Sequence, residues 1–152
     1  MAERNPTALV TGASGGVGIR CVEMLAKIGY SSVIVGRDGD HIESIAADIN
    51  TNFAPKVSCS AIVADLSNRA DVDRLLSHLG KQNVPDVFLS IAGVTSRKTD
   101  DFTDAELDDV MNVNFYAPVR ITRDLIPIMV ASGRGYIINI SSRSGVIGYS
   151  DK

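Results

Sequence analysis

A glycine-rich segment near the amino end constrains the fold of this chain more than any other feature. Residues 11–18 read Thr-Gly-Ala-Ser-Gly-Gly-Val-Gly and follow a short apolar run, Thr7–Val10. Glycine permits positive φ and close approach to the backbone, and the amino end of a helix offers free amides to an anion. A strand, a glycine turn and a helix in this order predict a pyrophosphate-binding turn. The alternative is a turn needed only for tight packing of the strand against the helix.

Short apolar runs rich in β-branched residues alternate with segments of helical periodicity along the chain. The runs predict strands at Thr7–Val10, Ser32–Val35, Val57–Val63, Val87–Ile91 and Tyr136–Ile140. Strands that are apolar throughout and separated by helices are typical of a parallel sheet buried on both faces. The sequence therefore predicts an α/β fold with a doubly wound, Rossmann-like parallel sheet, in which ligands bind at the carboxyl ends of the strands.

The predicted helices carry apolar stripes that indicate which side faces the sheet. In the first helix, Val17–Ile28, the stripe consists of Val17, Cys21, Met24, Leu25 and Ile28. In the second, Asp40–Ile49, it consists of Ile42, Ile45, Ala46 and Ile49. A third helix is predicted at Arg69–Leu79, and a longer pattern runs from a capping box at Thr103 to about Val130. Because Pro118 lacks an amide hydrogen, we expect a break or bend near it.

Length, charge and cysteine usage exclude several classes of protein. The chain has 152 residues, which suits a single domain. Its apolar runs are far shorter than the roughly 20 residues of a membrane-spanning helix, and no secretory signal is visible. A net charge of −3 with scattered Lys and Arg argues against a nucleic acid partner. Cys21 and Cys59 lack metal-ligand spacing, so we expect no metal site, two buried thiols and a reducing, cytoplasmic compartment.

Five motifs, each after a predicted strand or at the predicted helix bend, together resemble those of the short-chain dehydrogenase/reductase family. They are the Thr-Gly-x-x-x-Gly-x-Gly segment, Asp65-Leu66, Ala92-Gly93, Asn114 in Val113-Asn114-Phe115, and Asn139-Ile140-Ser141-Ser142. The resemblance runs along the whole chain and covers the cofactor-binding half of a family member with its catalytic-serine strand. It implies a dinucleotide-binding domain over residues 1–152 and hydride transfer between a nicotinamide cofactor and a carbonyl or alcohol. It also implies a homodimer or homotetramer.

The resemblance further assigns cofactor-binding residues. They are Gly12, Gly16, Val17 and Gly18 for the pyrophosphate turn, Asp65 and Leu66 for the adenine, and Ala92 and Gly93 for the nicotinamide ribose. In this interpretation the Asp65 carboxylate lies near the adenine amine, and the neighbouring backbone contacts the ring. The structural alternative is that Asp65 caps the following helix, a role for which Ser67 competes.

Arg37, directly after the second predicted strand, bears on the choice of cofactor. A ribose diol prefers an acid at this place, whereas a 2′-phosphate prefers the bidentate fork of a guanidinium. The family resemblance makes Arg37 an NADP-type residue, with Ser14 as a second phosphate contact, so NADP(H) is expected in preference to NAD(H). The alternative for Arg37 is a solvated surface arginine. We expect the adjacent Asp38 to cap the second helix rather than to bind the ribose.

The catalytic residues implied by the resemblance are Ser142 and Asn114. In the family a serine at the place of Ser142 hydrogen-bonds the reacting oxygen, and the asparagine supports a water chain to a lysine. Ser141 is then structural. The alternatives are a strand-end serine that satisfies local backbone and an asparagine that satisfies broken helical bonds.

Two departures from the family pattern stand out. Ser90-Ile91 occupy the place of two asparagines that help tie the central strand to the cofactor turn, which predicts altered packing rather than lost cofactor binding. A Tyr-x-x-x-Lys pair is missing, since Tyr149 and Lys152 are one residue too close together. We therefore expect a fold that is incomplete at its carboxyl end and no enzymatic turnover by residues 1–152 alone. The alternative function is a non-catalytic nucleotide-binding or regulatory protein.

Overall fold

Parallel strands build one sheet in the computed structural model, which describes residues 5–79, 84–95 and 102–147. The strands are β1 Thr7–Thr11, β2 Ser31–Gly36, β3 Cys59–Val63, β4 Val87–Ser90 and β5 Tyr136–Asn139. Their order is β3-β2-β1-β4-β5, and every neighbouring pair is parallel. The predicted strands are thus present, with ends shifted by one or two residues.

Helices cover both faces of the sheet. They are α1 Gly16–Lys27, α2 Gly39–Phe53, α3 Arg69–Leu79, α4 Asp104–Met111 and α5 Ala117–Ser132. One hydrophobic core lies between the sheet and α1 with α2, and a second lies between the sheet and α3 with α5. Alternate residues of β1 enter opposite cores, as expected for a strand buried on both sides: Val10 in the first and Leu9 in the second. The predicted doubly wound α/β fold is confirmed.

The predicted inward face of α1 is wrong in part. Val17, Met24 and Ile28 are exposed, and the residues buried against the sheet are Gly18, Val22 and Ala26. These three small or medium side chains recur every fourth residue, which lets the helix approach the strands closely. Hydropathy favours the larger side chains and misses this face. In α2, by contrast, all four predicted inward residues are buried.

The last long helix bends without ending at the predicted place. A π-helical turn, Asn112–Tyr116, joins α4 to α5, and the amide of Ala117 donates to the carbonyl five residues back, that of Asn112. The helix is thus disturbed where a break or bend is expected, and the disturbance takes the form of a wider turn that accommodates the missing amide of Pro118 while the chain stays helical. Pro127 also lies inside α5.

The two cysteines differ in burial. Cys59 is buried, and its burial raises the pKa of the thiol to about 11. Cys21 is only half-buried, so the prediction of two buried thiols holds for one of them. Within the described residues, no helix is long and apolar enough to cross a membrane.

A buried hydroxyl without a partner lies at the carboxyl end of β1. Thr11 and Ser90 face each other across β1 and β4 and are 1% and 7% exposed. The Thr11 Oγ1 has no hydrogen-bond partner among the described residues, so the serine does not satisfy it. The side chain of Ile91 packs against the core between the sheet and α1 with α2. The replacement of the family's asparagines is therefore accompanied by an unsatisfied polar atom.

We expect Thr11→Val to raise the free energy of unfolding by about 1 kcal/mol, because an unsatisfied buried hydroxyl costs about 1–3 kcal/mol and valine has nearly the same shape. Urea denaturation of the two proteins measures the difference. A loss of stability in Thr11→Val would contradict the assignment and show that the hydroxyl is bonded in solution.

Candidate functional site

The order of the strands predicts where a ligand binds. From β1 the chain passes through α1 to β2 on one side, while β4 lies on the other side of β1. The loop after β1 leads to α1 on one face of the sheet, and the chain after β4 leads to α5 on the other face. In doubly wound folds, ligands bind at the carboxyl ends of strands arranged in this way. Of the predicted site residues, one group follows β1, β2 and β3, and the other follows β4 and β5 or lies in the π-helical turn.

Two glycines hold the turn after β1 against its neighbours. Gly12 has φ of +72°, and a Cβ there would lie 2.6 Å from the main-chain nitrogen of Ala92. A Cβ on Gly18 would lie 2.2 Å from the Gly12 carbonyl oxygen. Any side chain at either position would therefore collide with main chain. Gly12 and Gly18 fix the turn itself and bring it against the end of β4.

Gly16 differs from these two glycines. A Cβ on Gly16 would meet no heavy atom within 4 Å outside the first turns of its own helix, although Gly16 opens α1. The cap residue Gly15 offers no side-chain acceptor to the first-turn amides, and Val17 beside them is exposed. The amino end of α1 is thus an open surface with amide donors and a partial positive charge, which suits a phosphate group.

Ser14 lies against the end of β2, next to the residue that precedes Arg37. A Cβ on Gly36, the residue before Arg37, would lie 3.7 Å from the Ser14 Oγ. The Arg37 side chain is exposed, and no acid among the described residues pairs with it. Asp38 is the N-cap of α2, since its carboxylate accepts the amide of His41 at 3.1 Å. The cap role expected for Asp38 is confirmed, and one oxygen of this acid is committed to the helix.

Asp65 and Leu66 lie in the loop that joins β3 to α3. The Asp65 Oδ1 accepts the amide of Ser67 at 2.9 Å, which closes a tight turn. Asn68, not Asp65 or Ser67, caps α3, because its Oδ1 accepts the amide of Ala70 at 2.9 Å. Among the described residues, nothing donates to the Asp65 Oδ2 and nothing accepts the Leu66 amide. An acceptor and a donor thus lie side by side, the pair that the edge of an adenine ring requires.

Asn114 binds the loop that follows β4. Its Oδ1 accepts the amide of Val94 at 2.8 Å, and its Nδ2 donates to the carbonyl of the same residue at 2.7 Å. Both polar atoms of the side chain are therefore used to hold one residue of main chain. Gly93 lies against this bracket, since a Cβ on it would be 3.6 Å from the Asn114 Oδ1.

A cavity of about 1090 Å³ brings the second group of predicted residues together. Ala92, Gly93, Asn114 and Ser142 all line it. The Ser142 Oγ accepts the amide of Ser144 at 3.1 Å, at the start of a 3₁₀ turn. This bond orients the hydroxyl and leaves its proton free to donate to an oxygen in the cavity. Tyr149 and Lys152 lie outside the described residues.

Sequence reasoning missed three residues that shape the site. Val94 is held through its main chain, so no side-chain pattern marks it. Asn68 follows two other polar residues that suit a cap equally well. Asp71 accepts the amide of Asp65, a contact across six residues that no helical or strand period indicates. Among the described residues there is no group of three metal-ligating side chains.

Comparisons with known proteins identify the family whose fold this chain has. The family model described as short chain dehydrogenase matches residues 6–151. A very-long-chain 3-oxoacyl-CoA reductase of Phaeosphaeria nodorum is 30% identical over 146 residues, which are 93% of this chain and 43% of that protein. This chain therefore spans less than half the length of that relative.

Two solved structures resemble the chain closely. A metagenomic short-chain oxidoreductase in complex with NADP has a TM-score of 0.87 and 30% identity, over 96% of this chain and 65% of that one. A short-chain dehydrogenase of Sphingobium yanoikuyae in complex with NADPH also has a TM-score of 0.87 and 30% identity, over 93% of this chain and 55% of that one.

Proposed function

The chain belongs to the short-chain dehydrogenase family, and from this premise we propose that it binds NADP(H). In the complete protein, the bound cofactor would exchange a hydride with a carbonyl or alcohol substrate. The observation that carries the proposal is the open amino end of α1, with Ser14 packed against Gly36 and the exposed Arg37 next in the chain. Similar chains that were solved with NADP and NADPH support it at the level of the family.

The described residues fit this cofactor along its length. The space around Gly16 accommodates a pyrophosphate against the first-turn amides of α1. Ser14 and Arg37 offer a hydroxyl and a guanidinium to a 2′-phosphate, and the neighbouring acid, Asp38, is engaged as the N-cap of α2. The free acceptor and donor of Asp65 and Leu66 suit the adenine edge. NADP(H), when bound, supplies the hydride.

The remaining chemistry belongs to residues of the cavity. Ser142, oriented by the amide of Ser144, donates a hydrogen bond to the substrate oxygen and polarises the carbonyl. Asn114 positions Gly93 and Val94, so the wall beside the nicotinamide ribose keeps its shape. Through these two hydrogen bonds the side chain acts by positioning the main chain. Carbonyl and alcohol groups are the substrate class that such a donor recognises.

Arg37→Ala tests the choice of cofactor. We expect the affinity for NADPH to fall roughly 10- to 150-fold, because a charge-assisted hydrogen bond contributes about 1.5–3 kcal/mol. The affinity for NADH, which carries no 2′-phosphate, should barely change. Titration calorimetry with both cofactors measures the ratio.

Arg20→Ala is the matched control, since Arg20 is an exposed arginine on α1 that pairs with Glu23. It should leave both affinities unchanged. Equal losses for the two cofactors in Arg37→Ala, or tighter binding of NADH by the unmodified protein, would overturn the proposed preference.

A further inference from the structure

Asp71 connects helix α3 to the loop that precedes it. The Asp71 Oδ2 accepts the main-chain amide of Asp65 at 2.9 Å, and its Oδ1 pairs with the guanidinium of Arg74 at 2.7 Å. The amide of Asp65, with a further contribution from Arg74, holds the pKa of the Asp71 carboxyl below its usual value. The carboxylate is therefore ionised at neutral pH, when an anionic acceptor binds an amide most strongly.

Two other main-chain groups of the same loop are also hydrogen-bonded. The amide of Ala64 donates to the carbonyl of Gly36 at 2.9 Å, and the carbonyl of Asp65 accepts the amide of Asn68 at 3.0 Å. Leu66 is buried in the core beneath α3. The bond from Asp65 to Asp71 completes this set and ties the peptide between Ala64 and Asp65 to the first turn of α3.

We propose that Asp71 is a positioning residue for adenine recognition: by holding the amide of Asp65, it aims the free carboxylate oxygen of Asp65 and the free amide of Leu66 at the adenine ring. The inference rests on the proposed cofactor function. Asp71 itself does not touch the cofactor in this arrangement. Its removal loosens one end of the dinucleotide site and leaves the cavity near Ser142 unchanged.

The binding affinities for two fragments of the cofactor distinguish this role from a general loss of stability. Adenosine 2′,5′-bisphosphate reports on the adenine end, and nicotinamide mononucleotide reports on the other end. In Asp71→Ala we expect the affinity for the adenosine fragment to fall roughly 10-fold, in line with a lost hydrogen bond to a charged group. The affinity for nicotinamide mononucleotide should stay the same. Asp71→Asn keeps an oxygen acceptor and should restore most of the lost affinity.

Asp73→Ala is the matched control, because Asp73 is an exposed acid on the same helix that pairs with Arg69 at 3.7 Å. It should change neither affinity. If Asp71→Ala does not fold, Arg74→Ala removes the partner that holds the carboxylate. That variant should weaken adenosine-fragment binding alone, by a smaller factor.

The outcomes are distinguishable. Equal losses for both fragments, or an Asp71→Ala protein that binds like Asp73→Ala, would overturn the role of Asp71 while the unmodified protein still binds NADPH. An unmodified protein that binds neither NADPH nor the fragments would overturn the proposed function itself. A selective loss at the adenosine end with recovery in Asp71→Asn supports the inference.

Discussion

Gly16→Val should abolish measurable NADPH binding while the protein stays folded. The new side chain would point into the open space at the amino end of α1 and displace a phosphate from the helix amides. Loss of two charge-assisted hydrogen bonds of about 1.5–3 kcal/mol each corresponds to at least about a 100-fold weaker affinity. The fold should tolerate the change, since valine is a better helix former than glycine. Calorimetric titration and thermal unfolding measure the two effects separately.

Gly15→Val is the matched control for this experiment. Gly15 has extended backbone angles that suit valine, a Cβ there would be 3.6 Å from the nearest atom, and its amide already donates to the Gly12 carbonyl. This variant should bind NADPH nearly as well as the unmodified protein. Gly18→Ala, in contrast, should destabilise the protein, because its Cβ would overlap the Gly12 carbonyl. Normal NADPH binding by a folded Gly16→Val protein would mean that the turn is only structural.

Ser142→Ala should lower kcat for the NADPH-dependent reduction of a ketone roughly 10²- to 10³-fold in the complete gene product. This is the usual effect of removing one hydrogen-bond donor to a developing oxyanion. NADPH affinity should be unchanged, because Ser142 lies in the cavity and not in the turn after β1. Steady-state kinetics and a separate NADPH titration give the two quantities.

Ser141→Ala and Ser142→Thr are the controls for this result. Ser141 is the neighbouring serine on the same cavity wall and should be replaceable with little loss of rate. Threonine at position 142 keeps a hydroxyl to accept the Ser144 amide and to donate to the substrate, so part of the rate should return. An unchanged kcat in Ser142→Ala would contradict its catalytic role, whereas absence of turnover in the unmodified protein would favour a nucleotide-binding protein without catalysis.

The fold was predictable from sequence because its apolar residues follow two patterns: continuous runs in the strands and helical periodicity in the helices. Apolar runs such as Val87–Ser90 enter both cores and can only be central strands, and the stripe of Ile42, Ile45 and Ile49 marks the buried face of α2. The buried face of α1 was not predictable from hydropathy, since Gly18 and Ala26 lie inward because they are small. The π-helical form of the turn before Pro118 could not be predicted, because it depends on a hydrogen bond to the carbonyl five residues back and no residue type is specific for such a bond.

The site was predictable to the extent that it uses local motifs. The glycine turn, Arg37 and Ser142 each follow a strand, and parallel strands bring their carboxyl ends to one edge. The contacts that join these segments could not be predicted from the sequence. The contact of Gly12 with Ala92 and the hydrogen bond from the Asp65 amide to the Asp71 carboxylate depend on how separate segments pack. No periodic pattern in the sequence indicates either contact.

The joint between the turn after β1, the loop after β4 and the π-helical turn has a consequence for how this protein can change. On the β4 side this joint consists of main-chain atoms. Gly12 packs on the backbone of Ala92, and the Asn114 side chain hydrogen-bonds the amide and the carbonyl of Val94. The half-exposed side chains of Val119 and Ile126 line the cavity and take no part in the joint. These side chains can therefore be varied to change the shape of the cavity while the joint between the three segments stays in place.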